Sequence, residues 1–193
     1  MAGKKAFHPD HALKKAMDVF WERGYEGTSV EDLVQKTGLG RGSLYDTFGD
    51  KHALYLAALD CYCAWLAEHM ASFRNQSGSL QESLESIFQT YIDLLLSDPA
   101  RRGCFLVNAQ IELAPSDPEV FKRVQSGCDA IEEVFYHLLI KAQAAGELSW
   151  TCDPHQFAHF LLGTLISIRV LARARADRSV LQDVMKTALL VFH

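Results

Sequence analysis

The sequence predicts an all-α protein of about nine helices. Three observations carry this. Apolar residues recur at three- and four-residue spacing over most of the chain, as one buried face of a helix requires. Alternation of period two is never sustained. Proline and glycine fall between the periodic segments, where helix breakers belong.

The first helix is expected to open near Pro9 and Asp10 and run to Arg23, burying Leu13, Ala16, Met17 and Phe20 before Gly24 stops it. Thr28 with Glu31, or Ser29 with Asp32, has capping-box spacing, so a second helix begins there and buries Val30, Leu33 and Val34. After Gly38-Leu39-Gly40 a short third helix carries Arg41 to Phe48. Asp50 is suited to cap a long fourth helix bearing Leu54, Ala57, Ala58, Tyr62, Trp65 and Leu66. A fifth helix is expected over 80–96 and a sixth over 103–113. Pro118 opens the seventh, whose stripe is Phe121, Val124, Cys128, Ile131, Phe135, Leu138 and Ala142, and Gly146 ends it. Asp153 and Pro154 start the eighth, and the ninth begins near Ser179.

Length and composition narrow the function classes. The chain has 193 residues, 49% hydrophobic and 22% charged, enough for a core without disulfide or metal staples. No apolar run approaches the roughly 18 residues of a membrane span. Residues 1–5 have no apolar stretch behind their lysines, so neither a signal peptide nor a membrane partner is expected, and the compartment is the cytoplasm. The cysteines Cys61, Cys63, Cys104, Cys128 and Cys152 show no paired metal spacing and suit a reducing cell. Net charge is −5, yet residues 1–51 hold eight Lys or Arg against eight Asp or Glu. Any nucleic-acid contact must therefore come from a local face.

Two short helices joined by a glycine-containing turn, the second rich in small and polar residues, have the form of a DNA-reading helix-turn-helix. A helix fits the major groove, and small residues in its first turns let it approach the base edges. Gly42 and Ser43 permit that approach. Arg41, Ser43, Asp46 and Thr47 offer hydrogen-bonding groups, while Leu44 and Phe48 face inward. The backbone N–H groups at Thr28 and Ser29 lie where a helix N-terminus can grip a phosphate. This divides the chain into a DNA-binding domain over 1–51 and a helical ligand-binding and dimerisation domain over 52–193.

Residues 7–54 resemble the DNA-binding domain of the TetR/AcrR family of bacterial regulators. The resemblance rests on Phe20 to Gly24-Tyr25 with Thr28-Ser29, on Gly38-Leu39-Gly40-Arg41-Gly42-Ser43-Leu44-Tyr45, and on Phe48, Lys51 and Leu54. It implies base-facing roles for Arg41, Gly42 and Ser43, and phosphate or base contact by Tyr45. It also implies phosphate contact by Lys51, Thr28 and Ser29. Asp46-Thr47 departs from the family, which often has an aromatic and a histidine there. Asp46 either accepts from a cytosine amine or turns away to pair with a cation. The resemblance further implies a homodimer built by the last two helices, repression of a palindromic operator in double-stranded DNA, and a small-molecule effector in the C-terminal domain. Dimer candidates are Phe157, Leu161, Leu165 and Ile168 with Leu181, Met185 and Ala188; the same stripes would equally close the monomer's own core.

Effector-pocket candidates are Trp65, Phe88, Tyr91, Phe105, Asn108, Glu112, Phe121 and Phe135, each of which ordinary packing would also explain. Asn108 and Glu112 lie four apart and share a helix face. Cys104 follows Arg101, Arg102 and Gly103 at a helix start, which favours a redox-sensing thiolate, although an inert packed thiol fits the same position. His155 and His159 have metal-binding spacing but no further ligand, so no metal is expected. HExxH, GxSxG and Walker motifs are absent, so neither enzymatic activity nor a cofactor is expected. A helical interaction module without DNA binding is the alternative that the neutral charge of residues 1–51 leaves open.

Overall fold

Proline and glycine set the ends of the first helix. The computed structural model describes residues 8–174 and 177–192; residues 1–5 lie outside them. Helix α1 (Pro9–Arg23) ends at Gly24, whose N–H donates to the Phe20 carbonyl. It buries Ala12, Ala16, Val19 and Phe20, a stripe rotated from the expected one, and Leu13 and Met17 are only half-buried. Helix α2 (Val30–Thr37) starts with a complete capping box between Ser29 and Asp32. It buries Leu33 and Thr37, while Val30 and Val34 are half-buried. Helix α3 (Arg41–Phe48) follows, and Asp50 caps α4 (Lys51–Ala71) by accepting from the Ala53 N–H at 2.8 Å.

Ser79 and Glu82 box the start of α5 (Leu80–Ser97). Then come α6 (Phe105–Glu112), α7 (Pro118–Ala144), α8 (Pro154–Ala174), α9 (Arg178–Leu189) and a 3-10 turn at Leu190–Phe192. No strand occurs among the described residues.

Helix α4 joins the two parts of the molecule. Leu54, Tyr55 and Leu59 in its first turns and Leu66 and Met70 further on belong to one continuous buried cluster running from Ala16 to Leu189. Helices α7 and α8 pack along each other, α9 lies against α5 and α8, and α6 sits against α7 and α4. On α7 the inward position is Val120; Phe121, expected on the buried stripe, is exposed.

Helices α8 and α9 differ from expectation in which face is free. Leu161, Leu165, Ile168 and Leu181 are fully buried within the single chain, Met185 and Ala188 nearly so, and Phe157 packs against the core. The outward face instead carries Phe160, Gly163, Ser167, Val170, Thr187 and Val191. Both helices are apolar on two sides, and periodicity does not say which side the monomer itself covers. For the same reason α8 is, by length and composition, apolar enough to cross a membrane, although no such run was expected. Its interior side carries an arginine, Arg169, that is 2% exposed.

Candidate functional site

The turn between α2 and α3 is built by Gly38 and Thr37. Gly38 takes the left-handed conformation, φ 77° and ψ 12°, and its N–H donates to the Val34 carbonyl. The Thr37 hydroxyl donates to the Leu33 carbonyl at 2.7 Å and accepts from the Leu39 N–H at 3.3 Å. Leu44 is fully buried and anchors α3, with Phe48 half-buried beside it.

The opposite side of α3 is open. Its N-cap is Gly40, which has no side chain to occupy the first N–H groups of the helix. Arg41, Gly42, Ser43, Asp46 and Thr47 are exposed, and nothing lies within 4 Å of where a Gly42 Cβ would stand. The Arg41 guanidinium lies 5.9 Å from the centre of the half-buried Tyr45 ring. Asp46 has no ion pair among the described residues. The Thr47 hydroxyl donates back to the Ser43 carbonyl at 2.8 Å, so only its lone pairs remain for an outside donor. Lys51 stands at the first position of α4 with its ammonium 4.2 Å above the Tyr25 ring.

Thr28 and Ser29 are placed differently from expectation. Thr28 is 1% exposed, its hydroxyl donates to the Gly24 carbonyl at 2.6 Å, and its N–H donates to the Tyr25 carbonyl. Both bonds hold the α1–α2 turn. The Ser29 N–H donates to Asp32, so this group too is occupied. Asp32 is held down at about 2 by the Ser29 side-chain and backbone hydrogen bonds, with Arg23 adding an ion pair.

A cavity of about 260 Å3 lies where α1, α5 and α8 meet the loop before α6. It is lined by Trp21, Tyr62, Tyr91, Leu94, Leu95, Asp98, Arg102, Cys104 and Arg169, among others. Of the eight expected pocket residues, only Tyr91 lines it, and Phe105 packs behind its Trp21 and Tyr62 walls at ring distances of 6.5 and 5.7 Å. Phe88 and Phe135 stack on each other inside the core at 6.1 Å. Trp65 and Phe121 are exposed.

Asn108 and Glu112 do face polar partners, but these belong to the protein. Asn108 donates to the Arg102 carbonyl and accepts from Arg173. Glu112 accepts from the Glu26 N–H at 3.0 Å and lies so close to Gly24 that a Cβ there would come within 2.6 Å of it. That approach requires glycine, as does the positive φ of 77°. Glu112 thus ties α6 to the α1–α2 turn.

The loop before α6 grips α1 directly. The Trp21 indole N–H donates to the Gly103 carbonyl at 3.2 Å, and the Arg102 guanidinium sits 4.2 Å above the Trp21 ring. Arg102 also donates to Asp18 of α1 at 2.8 Å and to Asp98 at 3.1 Å. Burial opposes the charge on Asp98, but the hydrogen bonds from Arg102 outweigh it and hold the carboxyl below its usual range. A further tie joins His52 of α4 to Asp117 at 2.6 Å.

Cys104 is the N-cap residue of α6 and is buried. Its sulfur accepts from the Tyr62 hydroxyl at 3.4 Å. The arginine before it, Arg102, turns toward α1; the cation that faces the thiol is Arg169, from a distant part of the sequence. Arg169, Trp21, Tyr62 and Arg102 were not among the expected pocket residues. The one signal for Arg169 was a charge on the apolar face of α8, four residues after Leu165. His155 stacks on Tyr136 at 4.3 Å and His159 pairs with Glu132 at 3.1 Å. No group of three metal-ligating side chains occurs among the described residues.

An all-helical chain with an exposed, uncapped second helix after a glycine turn, tied to a larger bundle, has the construction of a helix-turn-helix transcription regulator. Comparison with known proteins gives the family. Residues 12–58 match the bacterial regulatory proteins of the tetR family, and residues 81–188 match the tetracyclin repressor-like C-terminal domain. The chain is 34% identical over 192 residues to the uncharacterized HTH-type transcriptional regulator YezE of Bacillus subtilis, covering 99% of both chains. It is 32% identical to the HTH-type transcriptional repressor ComR of Escherichia coli, covering 96% of this chain and 89% of that one. Among solved structures it is similar to a cysteine mutant of the TetR family regulator CifR complexed with 26-bp operator DNA, with TM-score 0.87, 29% identity and coverage of 97% and 98%. The protein belongs to the TetR family of transcription regulators.

Proposed function

We propose that this protein is an effector-responsive repressor that binds a palindromic operator as a homodimer in the cytoplasm and leaves it when its C-terminal domain is modified or occupied. It acts by binding and not by catalysis. The observation that carries this reading is the continuous chain of ties from the cavity to the reading helix. Trp21, Arg102 and Gly103 join the cavity wall to α1, Glu112 joins α6 to the α1–α2 turn, and α1 packs against α2. A change at the cavity that moves α1 alters the position of α3 and, in a dimer, the spacing of two such helices.

On this reading Arg41, Gly42 and Ser43 meet base edges, with Asp46 and Thr47 beside them. Tyr45 and Lys51 meet the DNA backbone, and Ser29 stays at the rim. The homodimer forms through the outward groove of α8 and α9, of about 800 Å3, lined by Phe160, Gly163, Thr164, Ser167, Val184, Thr187, Ala188 and Val191, with Asp183 as its one charged residue. Of the expected interface residues only Ala188 lines this groove, which otherwise replaces the inward stripes as the dimer face. Modification of Cys104, which lies on the cavity wall, is one route to release.

Selection of bound sequences from a random duplex pool tests the proposal. It predicts an enriched palindrome whose complex weakens steeply with salt. A folded, dimeric protein that enriches nothing overturns it.

A further inference from the structure

We infer that the cavity between α1, α5 and α8 binds a small organic carboxylate, with the buried Arg169 guanidinium as its counter-charge. This deepens the effector-responsive reading and rests on it in naming the effector's chemistry.

Arg169 is 2% exposed, and neither of its terminal nitrogens has a hydrogen-bond partner among the described residues. A buried guanidinium in that state is costly unless something pairs with it. The groups that act on its charge are Cys104, Tyr62, Tyr91 and Cys128, and no carboxylate stands among them. The Tyr91 ring centre lies 4.8 Å from the guanidinium carbon, a cation–π contact, and the two side chains attract each other without a hydrogen bond of normal geometry. The Tyr91 hydroxyl is also buried without a partner. Burial pushes that hydroxyl up to about 12, against the pull of the Arg169 charge, so it stays a proton donor.

Two guanidinium nitrogens and one phenol oxygen without hydrogen-bond partners therefore belong to side chains that line one cavity. That set suits a carboxylate, which accepts two bonds from the guanidinium fork and has lone pairs left for a third. The other two charged residues of the wall, Asp98 and Arg102, pair with each other, and Arg102 also reaches Asp18 of α1, which lies outside the lining. The site is left with one unpaired positive charge and calls for a monoanion. Trp21, Tyr62, Leu94 and Leu95 supply apolar wall, which a bare inorganic anion would leave unused. The volume of about 260 Å3 lies just below the range of drug-sized sites, about 300–1,000 Å3, so the body of the ligand is of benzoate size.

The test uses the full-length protein with sodium benzoate, phenylacetate and isobutyrate, each against its neutral amide at constant ionic strength, by calorimetry and thermal unfolding. At least one carboxylate is expected to bind tenfold or more tightly than its amide. Arg169→Met is expected to abolish that preference while keeping the helical circular dichroism signal. If Arg169→Met does not fold, Arg169→Lys, which keeps charge and loses the fork, is expected to weaken the carboxylate about tenfold. Tyr91→Phe is expected to weaken it several-fold and retain the preference for charge. No carboxylate exceeding its amide, or a preference that survives Arg169→Met, overturns the inference. Release of the selected operator duplex separates the two readings. Arg169-dependent carboxylate binding that leaves the DNA complex intact upholds the site and removes its effector role. Release by an uncharged compound alone, with the carboxylates inert, upholds effector response and overturns the carboxylate site.

Discussion

Single side chains in this protein divide into those that reach outward and those that hold the reading unit in place. Arg41 and Tyr45 are of the first kind. Arg41→Ala or Tyr45→Ala is expected to abolish specific DNA binding, measured by fluorescence anisotropy, while helical content and dimerisation stay unchanged. Unchanged affinity in both would refute their assignment. Asp98 is of the second kind, since it organises the loop that grips α1. Its carboxyl is held below the ordinary value of 3.8. A depressed carboxylate contributes stability above its unfolded value and loses it as pH falls through its folded value. Asp98→Asn is therefore expected to destabilise the protein at neutral pH, and the gap to the parent should close as pH falls below about 4. An unchanging gap would show that the ionised group is not what matters. Residue types around the reading helix were legible because the helix-turn-helix is a local motif. The burial of Thr28 and its 2.6 Å bond to the Gly24 carbonyl are not legible in the sequence, because both depend on how the α1–α2 turn closes.

At the scale of elements, caps and breakers carried most of the information. Ser29, Asp50, Ser79, Asp117 and Pro118 all stand at helix starts, as their types imply. Ser29→Ala removes the α2 capping box and is expected to cost about 1 kcal/mol by chemical denaturation. Gly38→Ala meets no atom within 4 Å, so its cost is the left-handed backbone alone, roughly 1–2 kcal/mol. A larger loss would mean that the α2–α3 turn carries strain beyond its φ. Helix faces were less legible than helix ends. The expected stripe on α1 is rotated, and Phe121 lies outside the buried side of α7 where Val120 lies inside. Neighbouring apolar residues differ by only about 100° around a helix, so a partner's position decides between them.

At the scale of the whole molecule, α8 and α9 have one face in the core and one in the outward groove. The two faces predict opposite outcomes. Leu165→Ala empties core volume and is expected to lower stability by roughly 2–5 kcal/mol without a direct effect on association. Phe160→Asp or Val191→Asp places charge in the groove and is expected to yield folded monomers by sedimentation analysis, with operator binding lost alongside. A dimer that survives both charges would move the interface elsewhere.

The sequence by itself determined the helical class, the order of the elements, the caps that start them and the helix-turn-helix with its exposed polar residues. These follow from local chemistry: periodicity, side-chain caps and glycine's access to positive φ act within a few residues of one another. Tertiary structure alone decided which side of α8 the monomer covers, where the cavity lies, and that Arg169, Cys104, Tyr62 and Trp21 share it. Those residues lie up to 148 positions apart in the chain. Only the packing of α1, α5 and α8 against one loop brings a buried, unpaired charge to the face of a cavity, and no local pattern records that meeting.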